Sequence, residues 1–317
     1  MRSRAVVSLA RTVVRPTLGV LPLNSTVMAS ASLIDRAAGL LPRPRDCEYH
    51  RVSLGACEAE IVSPRGVQGS SGGALLYLHG GGFVAGGLNT HRRMIALLAG
   101  CARLPVMHVG YRKLPHATIR DSVSDCVSGY RWLLEHDVPA DRIVVAGESA
   151  GGFLAFATAI AARDKGMPLP SGLVGISPWL DLDCATKRAA SGAQTEALLP
   201  ISVFEAVARL GGEVDGELDA ALSPANADVT GLPPVLLVAL RSEVLRTDIE
   251  AMAARLGDAR VSCVLHLWRG QIHGFSALFP ASAEGREMLC DVGEFVRARI
   301  GAQPAWRMRI PTTSSVQ

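Results

Sequence analysis

The stretch RIVVAGESAGGFLAFATAIAA, residues 142–162, decides the architecture of this chain. Ile143, Val144 and Val145 form a short β-branched run of the kind that fills a buried strand. From Gly151 to Ala162 the composition is Ala-rich and strongly helical. Between them Gly147-Glu148-Ser149-Ala150-Gly151 matches G-x-S-x-G, directly after a strand and directly before a helix. A serine on so sharp a strand-to-helix turn presents its hydroxyl at the edge of a sheet, and crowding there demands glycine or something nearly as small on either side. The helix that follows points its N-terminus at the same spot, where negative charge is stabilised. Ser149 is therefore the candidate nucleophile. The amide of Ala150 is a candidate donor to an oxyanion.

Outward from this unit the chain alternates short apolar runs with helical patterns from about residue 57, the signature of an α/β fold built on a mostly parallel sheet. Ala74–His79 and Leu104–Val109 read as strands, with a helical stretch near 90–101 between them. Ser122–His136 carries apolar residues at helical period. Leu173–Ile176, Val235–Leu240 and Val261–Leu267 are further strands, and Met288–Ile300 reads as a closing helix. Residues 184–230 break the alternation. They are polar, with one helical stretch near 201–210, and lie between core strands. Together with the N-terminal segment they can form a cap over the carboxyl edge of the sheet, where open α/β sheets bind ligands.

The bulk properties exclude several classes. A chain of 317 residues suits one large α/β domain rather than several units. The net charge is +3, from 32 basic and 29 acidic residues, which gives no reason to expect a nucleic acid partner. None of the seven cysteines forms a C-x-x-C pair, so a zinc or redox site has little support, and buried thiols in the cytoplasm are expected. Residues 1–23 hold Arg2, Arg4, Arg11 and Arg15, and no acid occurs before Asp35. That composition resembles a mitochondrial targeting peptide. Val6, Val7, Leu9, Ala10, Val13 and Val14 also share roughly one helical face, so an amphipathic cap helix is the preferred reading. Arg and Pro interrupt the segment well short of the ~20 apolar residues a stable membrane span needs.

A second motif, His79-Gly80-Gly81-Gly82-Phe83, follows the strand ALLYLH. Successive glycines let the amides of Gly81 and Gly82 approach a substrate closely and converge, with Ala150, on an oxygen that becomes negative during acyl transfer. No Gly-Lys-Ser/Thr follows, which argues against a phosphate loop.

HGGGF followed by GESAGG resembles the hormone-sensitive-lipase family of α/β-hydrolase esterases, which includes bacterial carboxylesterases and arylacetamide deacetylases. Tyr111-Arg112 with Pro115, the segment Ser177-Pro178-Trp179-Leu180-Asp181, Gly231-Leu232-Pro233-Pro234 and His273-Gly274-Phe275 extend the similarity from about residue 70 to 300. The resemblance implies a Ser–acid–His triad in that chain order and an oxyanion hole. A serine hydroxyl needs a neighbouring base. His266 lies within a strand pattern, whereas His273 lies in a loop just after it, so His273 is the expected base. For the acid, the family's DPLRD-like segment reads Ser242-Glu243-Val244-Leu245-Arg246-Thr247-Asp248 here. Alignment on Leu245 points to Glu243, near the strand end; Asp248 is the alternative acid and otherwise the first-turn acid of a helix. Two further departures are His116, where the family has Glu, and Glu148, where Asp is commoner. His79 is expected to support its loop; His91 and His108 are expected to be packing or surface residues.

The expected organisation is an N-terminal cap segment over 1–45, a catalytic domain over 46–300 with a cap insert at about 184–230, and a tail over 301–317. The expected activity is hydrolysis of short to medium acyl esters through an acyl-enzyme, without metal or cofactor, by a monomer or homodimer. Alternatives are a deacetylase or amidase on the same triad, or a non-catalytic small-molecule receptor of the same fold. The retained His273 argues against the receptor.

Overall fold

A computed structural model describes residues 3–20, 24–66, 73–269 and 271–301. Arg2, Gly270 and the expected tail beyond Gly301 lie outside the described residues. The apolar runs become a sheet of eight strands: β1 (Cys47–Ser53), β2 (Glu58–Pro64), β3 (Ala74–Leu78), β4 (Val106–Gly110), β5 (Ile143–Glu148), β6 (Gly172–Ile176), β7 (Val235–Leu240) and β8 (Cys263–Trp268), in the order β1-β2-β4-β3-β5-β6-β7-β8. β2 runs antiparallel to both neighbours, and every pairing from β4 to β8 is parallel. The hairpin of β1 and β2 has no counterpart in the sequence reading. It exposes Glu48, His50, Arg51 and Glu58 and buries Cys47, Ala59, Glu60 and Val62, as at a partly solvated sheet edge.

The inner strands are almost wholly apolar, His108 of β4 and Glu148 of β5 excepted, because helices cover both faces. On one face Leu76, Leu78, Val145, Leu173, Leu237 and Ala239 meet Tyr130, Phe153 and Met252. On the other, Leu75, Tyr77, Val144, Val174, Leu236 and Val238 meet Met94, Leu98, Val292 and Val296. The covering helices are α1 (Arg92–Ala102), α2 (Ile119–Glu135), α3 (Ala150–Asp164), α4 (Arg246–Asp258) and α5 (Ala283–Arg299). α2 starts on a capping box, with Thr118 and Asp121 each accepting the other's backbone N–H.

Cysteine usage departs from the expectation of free thiols throughout. Cys101 of α1 and Cys290 of α5 are joined in a disulfide. The helices approach closely there because Gly293 of α5 faces the Cys101 backbone, where a Cβ would lie 2.7 Å from the Cys101 carbonyl carbon. The other five cysteines are free and buried or half-buried.

The N-terminal segment forms helices over Ser3–Leu9 and Arg15–Val20, joined by a π-helical turn at Ala10–Val14, and then Ser25–Ser30 and Ser32–Ala38. The expected apolar stripe is only partly buried. Ala10 packs inward, but Leu9 and Val13 are 54% and 52% exposed, since a π turn rotates the face that a regular helix would keep in line. Asp35 ties the segment to the body: it accepts hydrogen bonds from the backbone N–H and side-chain amide of Asn89 and from the N–H and hydroxyl of Thr90. The 184–230 insert contains helices at Ala185–Ala189, Gly192–Thr195 and Ile201–Gly212 and a two-stranded hairpin at 213–218, more structure than its one expected helix.

Candidate active site

Three loops at the carboxyl ends of β5, β7 and β8 meet at one point. Ser149 directly follows β5, with φ 54° and ψ −120°, a conformation non-glycine residues seldom adopt. Its surroundings enforce it. The Ser149 N–H donates to the Ile176 carbonyl at 2.9 Å, and its own carbonyl accepts from Gly152 and Trp179. A Cβ on Gly147 would sit 2.0 Å from the Gly151 carbonyl oxygen, and one on Gly151 would sit 2.0 Å from the Leu78 carbonyl oxygen. No larger residue fits either flank, which is the physical content of the G-x-S-x-G spacing.

The Ser149 hydroxyl lies 2.9 Å from Nε2 of His273. On the other side of the imidazole, Nδ1 donates to Glu243 Oε2 at 3.1 Å. Glu243 is oriented in turn, for its Oε1 accepts the Leu240 N–H at 2.8 Å at the end of β7. All three residues are buried. Burial by itself pushes the His273 imidazole down, but the hydrogen bond and charge of Glu243, with the charges of Glu196 and Glu148, outweigh it and raise the group above its ordinary 6.5. The arrangement can accept the serine proton and hold the resulting imidazolium.

Asp248 is elsewhere. It lies buried in the first turn of α4 and is paired with Lys187 Nζ at 3.0 and 3.1 Å, and it also accepts the Asp181 N–H. Of the two acids in that segment, the structure brings Glu243 to the histidine and Asp248 to a lysine.

The HGGG loop follows β3. Gly81 and Gly82 have φ 117° and 62°, the conformations that explain why glycine stands there. The Gly81 carbonyl accepts from Val84 and Ala85, while no backbone carbonyl of the described residues accepts the N–H groups of Gly81 or Gly82. Ala150 is the first residue of α3, so its N–H has no acceptor within the helix. Aromatic residues brace this loop from below: Tyr111 stacks on His79 with ring centres 4.2 Å apart and donates its hydroxyl hydrogen to the His79 carbonyl. Leu114 donates its N–H to the Phe83 carbonyl. His79 and His108 are held well below 6.5 by burial, so they are neutral supports. The Arg112 guanidinium makes a bidentate pair with Asp125 of α2, an ion pair that involves neither the family's Glu nor His116.

Two features escaped the sequence reading. His91 is a buried packing residue that also pairs with Glu148, Nε2 to Oε2 at 3.5 Å, directly before the nucleophile. Glu196 of the insert is buried beside Glu243 and has no local motif; its only signal is that it is the sole acid between Asp183 and Glu205. Among the described residues no group of three or more His, Cys, Asp or Glu is arranged to hold a metal ion.

A mostly parallel α/β sheet whose strand ends join a strained serine, a histidine and a carboxylate defines an α/β-hydrolase. The sequence profile of the alpha/beta hydrolase fold family matches residues 75–277. The chain belongs to that family, within its hormone-sensitive-lipase branch. It is 36% identical to Esterase LipU of Mycobacterium tuberculosis, over 91% of this chain and 99% of that protein. To an Acetyl-hydrolase of Streptomyces hygroscopicus it is 35% identical, over 79% of this chain and 83% of that protein. The crystal structure of an esterase from the bacterial hormone-sensitive lipase family superposes with a TM-score of 0.82 at 31% identity, covering 94% of this chain and 98% of that one.

Proposed function

We propose that this protein is a serine carboxylesterase acting on short to medium acyl esters, with Ser149 as nucleophile, His273 as base and Glu243 as the acid that orients it. The observation that carries the reading is the unbroken buried chain from Ser149 Oγ to His273 Nε2 and from Nδ1 to Glu243. In the first step Oγ attacks the ester carbonyl and its proton passes to Nε2. The oxygen that becomes negative is received by the N–H groups of Gly81, Gly82 and Ala150, which have no competing backbone acceptor. Collapse of the tetrahedral species expels the alcohol, which takes the proton from Nε2. Water then attacks the acyl-enzyme by the same route, yielding the carboxylic acid and free Ser149.

The acyl-chain range rests on the cap, for which we infer two parts, residues 1–45 and about 184–230, over a catalytic domain of 46–300. The name of the Streptomyces relative, Acetyl-hydrolase, agrees with a small acyl group. Among the described residues no helix is long and apolar enough to cross a membrane. The free thiols support a cytoplasmic location, with the Cys101–Cys290 bond as the exception to explain there. A monomer or homodimer is the assembly we expect.

The test is covalent. An alkyl phosphonate fluoride should raise the intact mass by one adduct, mapped to Ser149, and abolish hydrolysis of p-nitrophenyl acetate. Full activity without an adduct would overturn the mechanism.

A further inference from the structure

Glu196 is 2% exposed in a polar insert, and a carboxylate is not buried without partners. Both its oxygens accept backbone N–H groups: Oε1 from Leu198 at 2.8 Å and Oε2 from Val244 at 3.2 Å. Burial pushes this carboxyl above its ordinary 4.5, and the His273 charge and these two N–H groups, which favour the carboxylate, counter that rise. Val244 directly follows Glu243. The same piece of insert touches that loop twice more. Thr195 donates its hydroxyl hydrogen to the Ser242 carbonyl, and Gly192 lies so close that a Cβ would be 2.7 Å from the Glu243 carbonyl oxygen. The groups that act on Glu196 electrostatically are His273 and Glu243; those that act on His273 are Glu243, Glu196 and Glu148.

We propose that Glu196 is a positioning residue of this site: it fixes the loop that carries Glu243, and its charge adds to that of Glu243 in stabilising the His273 imidazolium. The inference rests on the reading of Ser149, His273 and Glu243 given above. Of the two carboxylates only Glu243 is hydrogen-bonded to the imidazole, so Glu196 acts through space and through the loop. Two carboxylates near one imidazole favour the charged form more than one does, and that form appears when Ser149 gives up its proton.

Glu196→Gln keeps the size and removes the charge. With p-nitrophenyl acetate as substrate, kcat should fall roughly 10-fold to 100-fold with KM within about twofold, since the interaction is made mainly in the transition state. The acid limb of kcat/KM should move down by roughly half a pH unit to one unit, because the imidazolium has lost a stabilising charge. Glu205→Gln, a change in the same insert away from this loop, should leave the limb in place. A folded Glu196→Gln whose limb does not move overturns the proposal and leaves Glu196 a structural link. If Glu196→Gln does not accumulate as folded protein, Glu196→Asp withdraws the charge by one methylene. A smaller downward shift then supports the proposal, and an unmoved limb overturns it. Phosphonate labelling of the wild type separates the two levels: absence of an adduct on Ser149 overturns this inference together with the esterase mechanism, whereas labelling with an unmoved limb overturns this inference alone.

Discussion

Glu243 in the loop after β7 and Asp248 in the first turn of α4 lie five residues apart, are both buried, and each accept a backbone N–H. They differ in the cation against them. Glu243 meets His273, whose charge comes and goes with a proton, and Asp248 meets the Nζ of Lys187, remote from the serine. A carboxylate facing a titrating partner can serve a proton transfer. One bound to a lysine away from the reacting atoms holds structure. Lys187 shows the second use plainly: fully buried, it donates also to the carbonyls of Asp181 and Asp183, which fastens the insert to α4. Burial of an acid therefore says little about its role until its partner is known.

The largest effects should fall on the Glu243 side. Ser149→Ala and His273→Ala are each expected to lower kcat by a factor on the order of 10⁵ or more, with melting temperature nearly unchanged, as measured by p-nitrophenyl ester hydrolysis and thermal unfolding. Glu243→Gln should cost roughly 10³-fold to 10⁴-fold, because the amide no longer fixes the tautomer or supports the imidazolium. Asp248→Asn should stay within about tenfold of wild type in rate. The reverse ranking would transfer the role to Asp248. The pH profile sharpens the contrast. The base must be neutral to act and its folded value is raised above 6.5, so kcat/KM should climb with pH through a limb above 6.5. In Glu243→Gln that limb should move to lower pH, and in Asp248→Asn it should stay.

On the Asp248 side the readout is stability. Burial pushes the Asp248 carboxyl up from 3.8 to about 6, a rise that Lys187 limits. Between those values the folded state holds a proton that the unfolded state has released, so this group's contribution to stability falls as pH rises across that window. Lys187→Met removes the partner and leaves the charge buried, at a cost of about 3–5 kcal/mol. Denaturant unfolding should show the full deficit at pH 8 and a smaller one below about pH 5, where the carboxyl is protonated. A deficit independent of pH would mean that Lys187 acts through the carbonyls it binds rather than through Asp248.

The sequence made one half of this comparison legible and left the other hidden. The turn at Ser149, the strand before it and the loop of His273 are local, because crowding and backbone geometry restrict which residues fit at 147, 151 and 81. The strands from β3 onward were readable for the same reason, as two-sided burial makes them continuously apolar. The β1–β2 hairpin was not, since the exposed Glu48, His50, Arg51 and Glu58 interrupt its apolar residues and dilute the apolar signal. Asp248 could be ranked second but not explained, because Lys187 comes from an insert with no regular pattern. Glu196 could not be seen at all, for its partners are backbone N–H groups and not side chains that leave a motif. The Cys101–Cys290 bond depends on how closely two distant helices pack, which the cysteine count does not encode.

The insert serves both acids, with residues 185–189 supplying Lys187 to Asp248 and residues 192–196 pressing on Glu243. Among the described residues the N-terminal helices hydrogen-bond to the second of these parts. Arg11 donates to the Thr195 carbonyl at 3.0 Å and Arg15 to the Ala193 carbonyl at 2.9 Å, each a contact between the N-terminal segment and the part of the insert beside the active site. Removal of residues 1–20 should therefore loosen the Glu243 side and spare the Asp248 side. Removal of residues 1–40 would also take Asp35 and release the loop at 87–90, so the shorter deletion is the cleaner test. The expected outcome is the smallest in this set: KM changed by roughly 3-fold to 10-fold, an altered preference among acetate, butyrate and octanoate p-nitrophenyl esters, and an unfolding midpoint that moves little, because these helices bury few large side chains. Activity on long-chain esters should stay low in both forms and should not jump when the substrate exceeds its solubility. A deletion that left KM and preference unchanged would remove the N-terminal helices from the cap and return residues 1–23 to the targeting reading that their arginines first suggested. A deletion that abolished turnover on every chain length would give them a part in holding Glu196 and Glu243, beyond shaping the acyl pocket.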